Sequence, residues 1–245
     1  FTVAQADFLT EDAMEHLHNG FTIDFSSGAF PLSTDSVVLS GFVRLNKAAR
    51  VLDLGSGCGT LGMLLCAKDP GCTVTGLELD EDAHRMALHN AQRNGISDRL
   101  NSICGDIAAI SEIITPGSFS VCVSNPPYFT AGPQSLSHPT ARREDKCSLK
   151  ELFHAVSWSL KYGGDFYLVH KPERLAELIA VGAGFHLEAK RLCLLRHRQD
   201  SPVNLILLQM RKGAKPGLII EEWYLHNADG TPSEKYQEIY HTKES

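Results

Sequence analysis

One nine-residue stretch limits the fold more than any other: Val51-Leu52-Asp53-Leu54 followed by Gly55-Ser56-Gly57-Cys58-Gly59. The first four residues read as a buried strand. The alternating glycines let the backbone turn tightly and come close to a ligand. Residues 61–67 then read as an apolar helix. The same order recurs along the chain. A strand is expected at 73–77, ending at Glu78, then a helix opened by Asp80-Glu81-Asp82 and stopped by Asn94-Gly95. Residues 100–104 are a third strand followed by Gly105-Asp106, residues 107–114 a short helix, and residues 119–123 a fourth strand. Residues 149–160 are a helix ended by Tyr162-Gly163-Gly164, and 166–169 a fifth strand. Pro172 opens a helix to about residue 181, and strands follow near 187–195 and 204–210. This alternation implies a doubly wound, mostly parallel sheet. Ligands of such sheets bind at the carboxyl ends of the strands. Asp53 to Gly59, Glu78, Asp106 and Asn125 all lie at or just past such ends.

The flanks are less patterned. Residues 7–19 suggest a short segment with a helical turn, and 21–30 a hairpin or loop. Ser33 or Thr34 can cap a helix carrying Val37, Val38, Leu39 and Phe42, with Asp35 in its first turn. That helix is placed to cover one end of a ligand site. The tail from Gly213 is polar, with a possible strand at 218–220. The 245 residues, 43% apolar, suit one domain, with residues 1–45 as an N-terminal cap and residues 129–147 as a lid. The lid reading follows from length, since structural connections are usually shorter.

No run of ~18 apolar residues marks a membrane helix, and Phe1-Thr2-Val3-Ala4-Gln5 does not resemble a signal peptide. Seven cysteines with no C-x-x-C pair read as buried thiols in a reducing cytosol, not disulfides or zinc ligands. His84 and His89 are five apart, off one helical face, so no metal is expected. The net charge is −6, yet residues 141–215 hold 14 Lys/Arg against 8 Asp/Glu. A local basic field of that kind can meet a polyanion.

Two constellations carry chemistry. Glu78 ends the strand after the glycine turn, where a carboxylate can take both hydroxyls of a ribose. A dinucleotide is disfavoured, because the turn is G-x-G-x-G and not G-x-G-x-x-G. Asp53 would also repel a pyrophosphate, whereas it suits a cation. The second constellation is Asn125-Pro126-Pro127-Tyr128-Phe129. Its prolines stop ladder and helix alike and push Asn125 into an extended conformation. A carboxamide, backbone carbonyls and an aromatic ring then meet at a strand end. Such a set accepts hydrogen bonds from a flat amino group and stacks on it.

Asp53-Leu54-Gly55-Ser56-Gly57-Cys58-Gly59, with Glu78 and Gly105-Asp106, resembles the signature of class I S-adenosylmethionine-dependent methyltransferases. The resemblance implies a Rossmann-like, doubly wound α/β sheet of seven mostly parallel strands, the last antiparallel. It implies S-adenosylmethionine held by Asp53, Gly55, Ser56, Gly57, Gly59, Glu78, Leu79, Asp106, Ile107 and Asn125. The Asn125-Pro126-Pro127-Tyr128 motif resembles the amino-methylating branch. Three further stretches, Phe30 to Leu39, Thr140-Ala141-Arg142-Arg143-Glu144 and Leu168 to Leu175, resemble the bacterial tRNA(Val) adenine-N6 methyltransferase family. That likeness covers residues 21–240. It implies methyl transfer to the exocyclic N6 of an adenine next to the anticodon, with Asn125, Pro126, Pro127 and Tyr128 catalytic. It departs from the family at Ala141-Arg142-Arg143, where Ala-Arg-His is common. Tyr128, Phe129, Arg142, Arg143, Lys146, Arg196 and Arg198 are the expected contacts to RNA. The expected partner is a tRNA, met by a cytoplasmic monomer. The motif alone leaves open a guanine-N2 methyltransferase of ribosomal RNA, a glutamine methyltransferase of proteins, and a non-catalytic RNA-binding module.

Overall fold

Eight strands in the order β10-β8-β9-β7-β6-β3-β4-β5 make one sheet, and only β9 runs against the rest. The computed structural model describes residues 14–16, 20–24, 33–126 and 148–240. A two-stranded ribbon, β1 (Met14–His16) and β2 (Thr22–Asp24), precedes the sheet. The main strands are β3 (Arg50–Leu54), β4 (Thr73–Glu78), β5 (Leu100–Cys104) and β6 (Phe119–Ser124), then β7 (Leu160–His170), β8 (Leu187–Arg198), β9 (Val203–Lys212) and β10 (Ile219–His226). The helices are α1 (Thr34–Phe42), α2 (Thr60–Lys68), α3 (Glu81–Arg93), α4 (Ile110–Ile113), α5 (Leu149–Ser159), α6 (Leu175–Gly184) and α7 (Glu234–Ile239).

The sheet is buried on both faces, which is why its strands read as continuous apolar runs. One face packs on α1 and α2 through Val38, Leu39, Phe42, Met63 and Leu65. The other packs on α4, α5 and α6 through Ile110, Leu152, Phe153, Val156 and Leu178. Helix starts follow local chemistry. Ser148 and Glu151 form a reciprocal capping box on α5, and Asp80 caps α3 through the Asp82 and Ala83 N–H groups.

Three expectations need correction. The sheet has eight strands, not seven, because the possible strand near 218–220 is a full edge strand that pairs in parallel with β8. Met14–His16 is a strand, not a helical turn, and pairs with β2. Tyr162-Gly163-Gly164 does not end a helix, because α5 stops at Ser159 and the glycines lie inside β7. There they accompany a shift of register against β6, the usual context of glycine within a strand. Helix α7, from the polar tail, carried no apolar period long enough to announce it. The proposed lid, residues 129–147, lies outside the described residues.

Candidate active site

Strand order reverses between β3 and β6, and the expected site residues gather at that switch point, the crevice where open α/β sheets take ligands. Register fixes their level. Leu54 pairs with Leu77, Glu78 with Cys104, and Asp53 with Val123. Asn125, Gly55, Glu78 and Cys104 therefore form one row across four strand ends, spanning about 14 Å at ~4.8 Å per strand. The Ser124 hydroxyl donates to the Leu54 carbonyl at 2.8 Å, tying the two switch-point strands together below that row.

The glycine turn is built from backbone. Gly55, Gly57 and Gly59 have φ of 74°, 54° and 85°, a region that other residues adopt at a cost of about 1–2 kcal/mol. The Gly55 and Ser56 N–H groups both donate to the Leu77 carbonyl. A Cβ built on Gly55 or Gly57 would meet no atom of the described residues within 4 Å, so the turn borders space that they leave open. Gly59 has a second reason to be small, since a Cβ there would press on Ala87 at 3.2 Å. Glu78 is fixed from two sides: its carboxylate accepts from the Gly57 N–H at 2.7 Å and from the Asp80 N–H at 2.9 Å. Leu79 follows it, 42% exposed, an apolar side chain left at a strand end beside a carboxylate. Across from it, Asp106 caps the short 3-10 turn Ile107–Ala109 by accepting from the Ala108 N–H, and Ile107 is half-buried.

Asp53 is 2% exposed, and its Oδ2 has no hydrogen-bond partner among the described residues. Burial first, and then the neighbouring Glu78 carboxylate, push its pKa up to about 7, with the Gly62 N–H partly offsetting them. An acid held in that state gains most from a cationic partner. The buried Ser56 Oγ is also without a partner, and it lies against Gly76, where any Cβ would meet it at 2.4 Å. A buried carboxylate oxygen with no partner among the described residues, beside the turn, suits a ligand that carries a positive charge.

Asn125 stands across the switch point, at the end of β6. Its Nδ2 donates to Ser36 Oγ at 3.0 Å and to Ser33 Oγ at 3.4 Å, which leaves Oδ1 without a partner among the described residues. Both serines belong to the start of α1, Ser33 as its N-cap. Sequence reading placed α1 near the site but missed these two contacts, because they join residues 89 and 92 positions apart. Pro126 follows, buried. The buried His170, at the end of β7, is held well below the usual range, at about 4, by burial first and by Arg174 second. It stays neutral at physiological pH.

The structure does not bring Arg196 and Arg198 to this row. They lie at the end of β8, three strands from β6. Arg196 donates to the Ser201 carbonyl and faces Glu222, and Arg198 pairs with Asp200. They line the same edge of the sheet, partly neutralised. Pro127, Tyr128, Phe129, Arg142, Arg143 and Lys146 lie outside the described residues. Also missed by sequence reading were Asn90 and Asn94 of α3. The Asn90 carboxamide accepts from the Asp24 N–H and donates to the Asp24 and Cys58 carbonyls. Asn94 accepts from the Thr22 N–H and donates to the Thr22 carbonyl. The pair docks β2 beside the glycine turn. A cavity of about 430 Å³ lined by Pro116, Trp158, Tyr162, Phe185 and Lys212 opens at the opposite edge and holds none of the expected residues. Among the described residues no group of His, Cys, Asp and Glu could hold a metal, and no helix is long and apolar enough to cross a membrane.

Known proteins give this arrangement a context. A family model described as the methyltransferase small domain matches residues 25–179. The tRNA1(Val) (adenine(37)-N6)-methyltransferase of Aeromonas hydrophila is 30% identical over 226 residues, 89% of this chain and 92% of that protein. The protein of the same name from Shewanella halifaxensis is 35% identical over 175 residues, 71% of this chain and 70% of the relative. Among solved structures, a predicted O-methyltransferase from Agrobacterium tumefaciens has a TM-score of 0.71 at 21% identity, covering 86% of this chain and 98% of that one. A geranyl diphosphate C-methyltransferase from Streptomyces coelicolor has a TM-score of 0.56 at 12% identity, covering 72% and 79%. At these identities the solved structures speak for the fold alone.

Proposed function

The chain belongs to the methyltransferase small-domain family, and from that premise we propose that it methylates the exocyclic N6 of an adenine in tRNA. The reading rests above all on one observation. Among the described residues nothing claims the carboxamide oxygen of Asn125, which is level with the glycine turn and Glu78 across the switch point. The curated relatives, similar over most of the chain and named for adenine 37 of tRNA1(Val), supply the acceptor.

S-adenosylmethionine, when bound, supplies an electrophilic sulfonium methyl and leaves as S-adenosylhomocysteine. The residues present suit it: Glu78 for the ribose hydroxyls, Asp106 for the adenine amine, Leu79 and Ile107 as apolar walls, Asp53 near the positive end. Gly55, Ser56, Gly57 and Gly59 give the close backbone approach.

On the acceptor side, an exocyclic amine is a poor nucleophile because its lone pair is conjugated into the ring. Asn125 Oδ1 and the Pro126 carbonyl accept its two N–H bonds and draw the nitrogen toward tetrahedral geometry. Catalysis then comes from orientation and fixed dipoles. No strong base is required, and the neutral His170 offers none; the proton departs to water after transfer. Tyr128 and Phe129 stack on the flipped-out base, a contact worth on the order of 1–3 kcal/mol. Arg142 and Arg143, with Lys146, Arg196 and Arg198, meet phosphates along the β6 to β10 side, since the donor fills the β3 to β5 side. In the same proposal residues 1–45 cap one end of the ligand site, residues 129–147 close over the acceptor, and the enzyme works in the cytoplasm as a monomer.

Radiolabelled donor offered with unmodified tRNA, ribosomal subunits or a peptide release factor tests this reading. N6-methyladenosine in the tRNA digest, and little label elsewhere, is expected. Label confined to guanine or to glutamine would overturn it.

A further inference from the structure

We propose that Ser36, supported by Ser33, is a positioning residue that sets which end of the Asn125 carboxamide faces the acceptor; the role rests on the methyl-transfer reading above. A carboxamide has a donor end and an acceptor end of nearly the same shape. Only the acceptor end can serve an amino group. Rotated by half a turn, Asn125 would set its own NH₂ against the NH₂ of the base, and no hydrogen bond would form.

The geometry selects one orientation. Ser33 Oγ accepts from the Ser36 N–H at 3.2 Å and gives its proton to Ser36 Oγ at 3.2 Å. It therefore presents only a lone pair to Asn125, 3.4 Å away. Ser36 Oγ receives the Asn125 Nδ2 at 3.0 Å. A rotated carboxamide would press Oδ1 against the Ser33 lone pair. Helix capping does not explain Ser36, because Ser33 alone caps α1. The Ser36 side chain is 7% exposed, and its hydroxyl contacts are Ser33 and Asn125.

The helix that carries the serines is held at its far end too. Lys68 of α2 donates to the Ser40, Gly41 and Val43 carbonyls. Since α2 begins at the glycine turn, the donor loop and the serine pair are fixed to one another through two helices. Phe42 packs edge-on against Tyr167 of β7 at 6.0 Å, and the Tyr167 hydroxyl donates to the Arg44 carbonyl. α1 is thus seated on the sheet as well.

The test compares Ser36→Ala with Ser36→Thr, which restores a hydroxyl. Single-turnover methylation of tRNA, donor and tRNA dissociation constants, and melting temperature are measured on each. Ser36→Ala should lower turnover roughly 10- to 100-fold with both dissociation constants within about two-fold of wild type. Ser36→Thr should recover most of the loss. In ¹⁵N-asparagine-labelled protein, the Asn125 side-chain amide pair, assigned by its disappearance in Asn125→Ala, should shift and exchange faster in Ser36→Ala. Turnover of Ser36→Ala within two-fold of wild type would overturn the proposal, as would equal losses in Ala and Thr or a loss matched by weaker binding. A wild-type protein that methylates no tRNA adenine would instead sink the substrate reading. The amide signal still decides the geometry in that case, and an unchanged Asn125 signal in Ser36→Ala overturns the positioning role.

Discussion

The two sides of the switch point are built differently. On the donor side, between β3 and β5, the site is mostly backbone: three glycines at positive φ and a Glu78 carboxylate held by two N–H groups. On the acceptor side, from β6 to β10, the site is side chains brought from distant segments: Asn125 with Ser33 and Ser36, and arginines paired with carboxylates. A backbone cradle makes the same contacts whatever the rest of the chain does. A side-chain cluster depends on how separate elements pack. The donor side should therefore recognise its ligand alone, and the acceptor side should fail through small changes of orientation.

That contrast can be broken at several points. The largest expected effect is at Asn125→Ala. Removing a group proposed to face the reacting centre should lower turnover by about 10²- to 10³-fold while donor affinity by calorimetry falls far less. Equal losses in both would mean that the two sides are not separable. Next is Glu78→Gln, which sets an NH₂ against a backbone N–H in the turn. Donor affinity should fall roughly 10- to 100-fold, with tRNA affinity in a filter-binding assay unaltered.

Asp53 sharpens the comparison through pH. Its folded pKa of about 7 lies above the ordinary value of 3.8, so the folded state holds a proton that the unfolded state has released. Stability of the ligand-free protein should decrease as pH rises from about 4 through about 7, then level off. A cationic donor favours the ionised form, so its affinity should rise over the upper part of that window. Asp53→Asn should flatten both profiles in thermal melts and titrations. The smallest effect belongs to Arg196→Ala with Arg198→Ala. Their charges are already met by Glu222 and Asp200, so tRNA affinity should drop only a few-fold, with a shallower salt dependence. A large loss would mean that those ion pairs open to take phosphate.

The same division explains what was legible. The strand-end places of Asp53, the glycine turn, Glu78 and Asp106 were readable because each is signalled by its own neighbours: an apolar run, a glycine spacing, a cap. The parallel strands, buried on both faces, were readable for the same reason, and so was the antiparallel course of β9, through the family likeness. Of the edge strand β10 only the start was, as a possible strand at 218–220, and helix α7 was not. In β10 Glu221 and Glu222 interrupt the apolar run and Ile219 and Ile220 are left exposed, so pairing with β8 rather than periodicity makes the strand.

The chain's local chemistry thus determined the sheet, its switch point and the donor cradle, because tight turns and buried strands are set by residues next to one another. Only the tertiary structure decided the state of the side chains. It buried Asp53 beside Glu78 and so raised its pKa, and it paired Arg196 and Arg198 with carboxylates. It also set two serines from α1 against Asn125 some ninety residues away. Burial, charge pairing and amide orientation depend on what lies across space, and sequence separation carries no record of that.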